Sequence, residues 1–138
     1  MEASAARTIA SKLHADQRDR FGDPIFEHLA RVAAAVPDDA QGTAWLHDAI
    51  ERTPVSVDDL RAAGLTGTEL EALALLSRTP AESYELYALR IAFAAGEAGR
   101  LARTVKLADL DDHIAHGPAP RDAPPYRWAR RHIAAHLI

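Results

Sequence analysis

Cysteine is absent from the 138 residues. That excludes disulfides and thiolate-held metals and suits a reducing compartment. Any metal must then be held by His, Asp or Glu. Aromatic residues make up only 6% of the chain, and nowhere is alternation of period 2 sustained, which argues against a strand-rich fold. Positive charge has no surplus: 16 Lys and Arg face 20 Asp and Glu, for a net charge of −4. Non-specific nucleic-acid binding would need the opposite balance. No apolar run approaches the ~20 residues of a membrane span. The opening "MEASAARTIASKLHADQ" carries charges throughout and has no apolar signal core. The expectation is a cytoplasmic protein with neither a membrane nor a nucleic acid as partner.

What is present is apolar in 48% of positions, with Ala and Leu dominant. That composition favours helices. The length suits one domain, residues 1–138, with one core. Residues 3–20 read as a first helix, with Ala6, Ile9, Ala10 and Leu13 on one side. "FGDPI" breaks it: Gly22 ends a helix, and Asp23 suits the N-cap of a second helix over 24–36. A third helix is predicted from about 39 or 40 to 52, stopped by Thr53-Pro54. Ser56 caps and Gly64 closes a short helix at 56–64. Further helices are expected over 66–78, 79–96 and 97–117. A proline-rich connection at 118–125 leads to an amphipathic helix at 126–138, whose Trp128, Ile133 and Leu137 could pack on another subunit. The fold class is therefore all-α, a compact arrangement of about seven helices.

Charged and imidazole groups are seldom buried without a partner or a metal. Three predicted helices nevertheless carry them among apolar neighbours. His28 lies beside Ile25, Leu29 and Val32; His47-Asp48 follows Trp45-Leu46; Asp109 ends "VKLAD". Nitrogen and oxygen donors of this kind match a hard-to-borderline divalent ion. His47 and Asp48 point about 100° apart on a helix, so both reach one ion only if it sits between them, near the helix end. Glu51, four residues after His47 and three after Asp48, shares their face. A carboxylate one turn from a metal is placed to handle water.

These pieces resemble the HD-domain phosphohydrolases, and within them the RelA/SpoT-type alarmone hydrolase domain and its small stand-alone relatives. The segments "LHADQRDRFGDPIFEHLARVA", "AWLHDAIERT" and "VKLADLDDHI" come in that group's order and cover about residues 5–115. The resemblance implies an HD fold and one metal ion, usually manganese, held by His28, His47, Asp48 and Asp109. Water activated by that ion would attack phosphorus, with Glu51 orienting or deprotonating it. Lys106, one turn before Asp109, would neutralise phosphate charge or support the site. Tyr84 and Tyr87 would line the nucleotide pocket or pack between helices.

Three positions depart from that pattern. Arg52 replaces the second acid of the Glu-Asp pair; it cannot accept a proton but can grip phosphate. Asp19 stands where the group places a guanine-stacking arginine, with Arg18 and Arg20 on either side. His113 stands where an asparagine is expected, on the face of Asp109, and could touch substrate or metal. The expected activity is metal-dependent hydrolysis of a phosphorylated nucleotide, an alarmone-like pyrophosphate ester first, with a nucleoside 5′-monophosphate as alternative. A degenerate module that binds a nucleotide or partner without turnover is the third possibility. Of the other histidines, His14 reads as a surface or supporting residue, and His116 as solvent-facing. His132 and His136 form an i, i+4 pair that could chelate zinc or interact with the helix dipole.

Overall fold

Apolar faces at helical spacing, punctuated by caps, set the architecture seen in a computed structural model, which describes residues 1–19, 21–117 and 123–137. Arg20 and most of the proline-rich connection lie outside the described residues. The helices are α1 (Ala3–Leu13), α2 (Ile25–Ala34), a 3-10 turn (Asp38–Ala40), α3 (Gln41–Trp45), α4 (Ala49–Arg52), α5 (Val57–Ala63), α6 (Gly67–Leu76), α7 (Tyr84–Phe93), α8 (Gly96–His116) and α9 (Ala123–Ala134). The fold is all-α, with a lone Arg18–Pro24 bridge and no named strand among the described residues. No helix among them is long and apolar enough to cross a membrane.

The caps behave as local chemistry predicts. Ser56 with Asp59, and Thr66 with Glu69, form reciprocal capping boxes that satisfy backbone donors at the starts of α5 and α6. Gly64 closes α5 at φ +113°, a conformation that favours a residue without Cβ. Ser83 caps α7, which starts at Tyr84 rather than just after Pro80. Pro124 and Pro125 sit in the first turn of α9, three residues earlier than expected, where a missing N–H costs nothing.

Helix α8, roughly 32 Å long at 1.5 Å per residue, is the central element and packs against α2, α6, α7 and α9. Helix α3 packs on α1 and α2. The core gathers Leu29, Leu46, Leu60, Leu73, Ile91, Val105, Leu110 and Ile133. Ile133 is fully buried against the chain's own helices, and Trp128 packs on the same core. Of the three residues expected to face another subunit, Ile133 is buried, and Trp128 and Leu137 are partly exposed.

Three local expectations need correcting. Helix α1 ends at Leu13, and His14 is buried rather than on the surface; its Nδ1 meets Gln17 Oε1 at 2.8 Å. Asp23 does not cap α2, whose N-cap is Pro24 with no side-chain bond. The turn before α2 is organised by Asp19 instead. One of its carboxylate oxygens accepts from the amides of Phe21 and Asp23, at 2.8 and 3.0 Å. Gly22, at φ +85°, lets the chain reverse. Finally, the predicted third helix is not continuous: α3 and α4 are separated by a break at residues 46–48.

Candidate metal centre

The break between α3 and α4 makes the site possible. The backbone there tightens to i→i−3 bonds: Leu46 N to Thr43 O at 3.2 Å, His47 N to Ala44 O at 3.4 Å, and Ala49 N to Leu46 O at 3.0 Å. His47 Nδ1 takes part, meeting the Ala44 carbonyl at 2.7 Å. A carbonyl only accepts, so Nδ1 keeps its proton, and in the neutral ring it is Nε2 that offers a lone pair. Regular i→i−4 bonding resumes with Arg52 N to Asp48 O at 2.9 Å. The tightened turn brings both His47 and Asp48 toward α2 and α8, which an unbroken helix would have splayed.

Helix α2 contributes His28 and helix α8 contributes Asp109. Asp109 Oδ1 lies 2.9 Å from His28 Nε2, 3.3 Å from His47 Nε2 and 3.2 Å from His113 Nε2. Asp48 Oδ2 lies 3.6 Å from His47 Nε2. Despite these separations, His28 Nε2, His47 Nε2 and Asp109 Oδ1 are all buried without a hydrogen-bond partner. The atoms crowd one point. Two donors ~2.1 Å from one ion stand about 3.0 Å apart across a right angle and about 3.4 Å apart across a tetrahedral angle. The 3.2 and 3.3 Å separations fall in that range, and the 2.9 and 3.6 Å ones lie just outside it. His28, His47 and Asp48, and likewise His28, Asp109 and His113, could hold a metal ion.

Electrostatics point the same way. Burial pulls the His47 imidazole down, but Asp48 and Asp109 outweigh it and hold its pKa up at about 9. Burial pushes Asp109 up, but Lys106 and His47 draw it well below the ordinary carboxylate range. Lys106 is buried too, and its Nζ donates to Asp109 Oδ2 at 2.8 Å. It also sits 5.0 Å from the centre of the Tyr87 ring. The two Asp109 oxygens therefore face opposite ways, Oδ2 to the lysine and Oδ1 to the imidazoles.

Beside the cluster opens a cavity of about 380 Å³, bordered by Arg18, Arg31, Asp48, Arg52, His113 and Tyr126 among others. Arg52 Nε is 3.7 Å from Asp48 Oδ1. Arg18, expected to meet substrate, donates from Nη1 to the Gly22 carbonyl at 2.7 Å. Arg20 lies outside the described residues. His113 stacks on Tyr126 of α9, with centroids 5.3 Å apart and planes 9° apart.

Glu51 is turned elsewhere. Glu51 Oε1 accepts from the Arg78 amide at 2.8 Å, and Glu51 is not among the residues lining the cavity. Tyr84 and Tyr87 do not border the cavity either. Tyr87 is buried and donates its hydroxyl to Leu76 O at 2.7 Å. The Tyr84 ring lies 5.9 Å from both Tyr87 and Tyr126, and its buried hydroxyl has no partner. His132 and His136 pack on separate aromatics, Trp128 and Phe93. Asp112 is a site residue that the sequence reading missed. Its signal was its place one turn after Asp109 on α8.

No family model and no curated protein matches this chain.

Proposed function

We propose that this chain is a metal-dependent phosphohydrolase of the HD type, acting on a phosphorylated nucleotide. One observation carries the reading: buried imidazole and carboxylate atoms from α2, the α3–α4 break and α8 converge on one point, close enough together to share an ion. Burying this many ionisable groups together is costly, and a shared ion would offset that cost. A bound divalent ion, manganese by the resemblance to the alarmone hydrolases, would supply charge to polarise a phosphoryl oxygen and lower the pKa of bound water. His28, His47, Asp48 and Asp109 would hold it. Lys106 fixes Asp109 so that Oδ1 stays aimed inward. Arg52, half-exposed at the cavity wall, would meet substrate phosphate. His113 is close enough to Asp109 to join the ligands or to touch substrate.

The test is metal analysis of the purified protein, followed by a panel in which guanosine tetraphosphate and nucleoside 5′-monophosphates are assayed side by side with Mn²⁺. Hydrolysis that disappears in His47→Ala and Asp48→Ala supports the reading. Protein that holds no divalent metal and hydrolyses nothing in the panel sinks it.

A second reading, a nucleotide-binding module without turnover, draws on the engagement of Glu51 with the Arg78 amide and of Arg52 with Asp48. It requires the native chain to bind nucleotide without consuming it, and Arg52→Asp to gain activity. Robust turnover by the native chain removes it.

A further inference from the structure

We propose that Asp112 is a positioning residue for the metal centre, holding His28 in the one tautomer that can ligate an ion through Nε2. The proposal rests on the metal-centre reading above. The Asp112 side chain is 8% exposed, and Oδ2 lies 2.7 Å from His28 Nδ1. An ionised carboxylate accepts hydrogen bonds and donates none. The proton of that contact therefore sits on Nδ1, and the lone pair of neutral His28 is on Nε2, facing Asp109 Oδ1. A ligating imidazole whose other nitrogen donates to a carboxylate has its ring orientation fixed and its basicity raised.

Asp112 is itself held in place. Arg31 grips it with two nitrogens, Nε to Oδ1 at 2.7 Å and Nη2 to Oδ2 at 3.1 Å. His116 Nδ1 approaches Oδ1 at 3.1 Å. Burial pushes its acid up, yet Arg31 and His28 pull it below the ordinary range. The two imidazoles of the centre are thus locked by different means. His47 is held by the Ala44 backbone carbonyl, which no side-chain change removes. His28 is held by a side chain 84 residues away in sequence.

The experiment uses the full chain with Zn²⁺ as a diamagnetic probe. Affinity is measured by competition with a chromophoric chelator, and the imidazole nitrogens of the Zn²⁺-loaded protein are followed by ¹⁵N NMR. Asp112→Ala should weaken Zn²⁺ binding by about 10–100-fold. Asp112→Asn should lose less, because its amide oxygen still accepts from Nδ1. A core control, Leu73→Ala, should lower the melting temperature and leave the affinity unchanged, which separates positioning from general loosening. In the native protein His28 should carry its proton on Nδ1 and the ion on Nε2, and that proton's resonance should vanish in Asp112→Ala. Native protein that binds Zn²⁺ with the tautomer reversed overturns the proposal, whether or not the variants fold. So does Asp112→Ala binding Zn²⁺ as tightly as the native chain. If the native chain binds no Zn²⁺, the metal-centre reading itself fails, a result distinct from either.

Discussion

Asp109 uses its two oxygens for two tasks, and that division explains the most demanding contact in the molecule. Lys106 is buried with an ordinarily costly charge, and Asp109 Oδ2 pairs with it at 2.8 Å. Burial alone would lower the lysine pKa, but Asp109 raises it well above the ordinary value. Removing one member of a buried pair leaves the other charge uncompensated, which costs more than the intact pair contributes. Asp109→Ala should therefore destabilise the metal-free protein by about 3–5 kcal/mol. The double change Lys106→Met with Asp109→Leu should recover much of that loss. Denaturant unfolding of the three proteins in chelator checks it; a single variant as stable as the native chain would contradict it.

At the scale of elements, the α3–α4 break and the start of α8 show how helices are shaped by what they meet. The break is held by His47 Nδ1 on the Ala44 carbonyl and by the i→i−3 bonds around it. The start of α8 is shaped by a backbone contact: a Cβ at Gly99 would land on the Ala94 carbonyl. A backbone carbonyl cannot swing aside as a side-chain tip can. Alanine favours a helix over glycine by about 1 kcal/mol, whereas overpacking costs about 1–3 kcal/mol. Gly99→Ala should thus destabilise on balance. Gly67, in the first turn of α6, has open space around it and no positive φ. Gly67→Ala should instead stabilise by about 0.4–1 kcal/mol. Thermal and denaturant melts of the two variants should move in opposite directions; melts that move together would contradict the contact at Ala94.

At the scale of the whole molecule, the centre ties together α2, the α3–α4 break and α8, elements far apart along the chain. A ligand that binds only the folded state adds stability by mass action, about 2.7 kcal/mol at a hundredfold excess over its dissociation constant. The size of that gain depends on pH, and its sign follows from His47. In the metal-free protein its folded pKa of about 9 lies above the ordinary 6.5. The proton it holds stabilises the fold fully below 6.5, and that contribution is lost as pH rises through 9. A metal ion takes the deprotonated imidazole, so binding strengthens over the same window. The rise in melting temperature on adding Mn²⁺ should accordingly grow between pH 6.5 and 9. A rise that is the same at both ends would show that His47 is not a ligand.

Much of this was legible in the sequence. Ser56 and Gly64 bracket a helix because capping and left-handed φ are local preferences. His28, His47, Asp48 and Asp109 stood out because ionisable groups on apolar faces violate the pattern around them. Local spacing also erred where it assumed an unbroken helix. That spacing placed Glu51 on the face of His47, and Glu51 Oε1 accepts from the Arg78 amide. Partner choice across the fold was beyond the sequence altogether. Arg31 and His28 meet Asp112 over 81 and 84 residues, and His14 finds burial at the end of α1. Periodicity of about 3.6 residues decides which face of a helix is apolar. Only the packing of those faces decides which polar groups are shut in together, and so which of them must find a common partner.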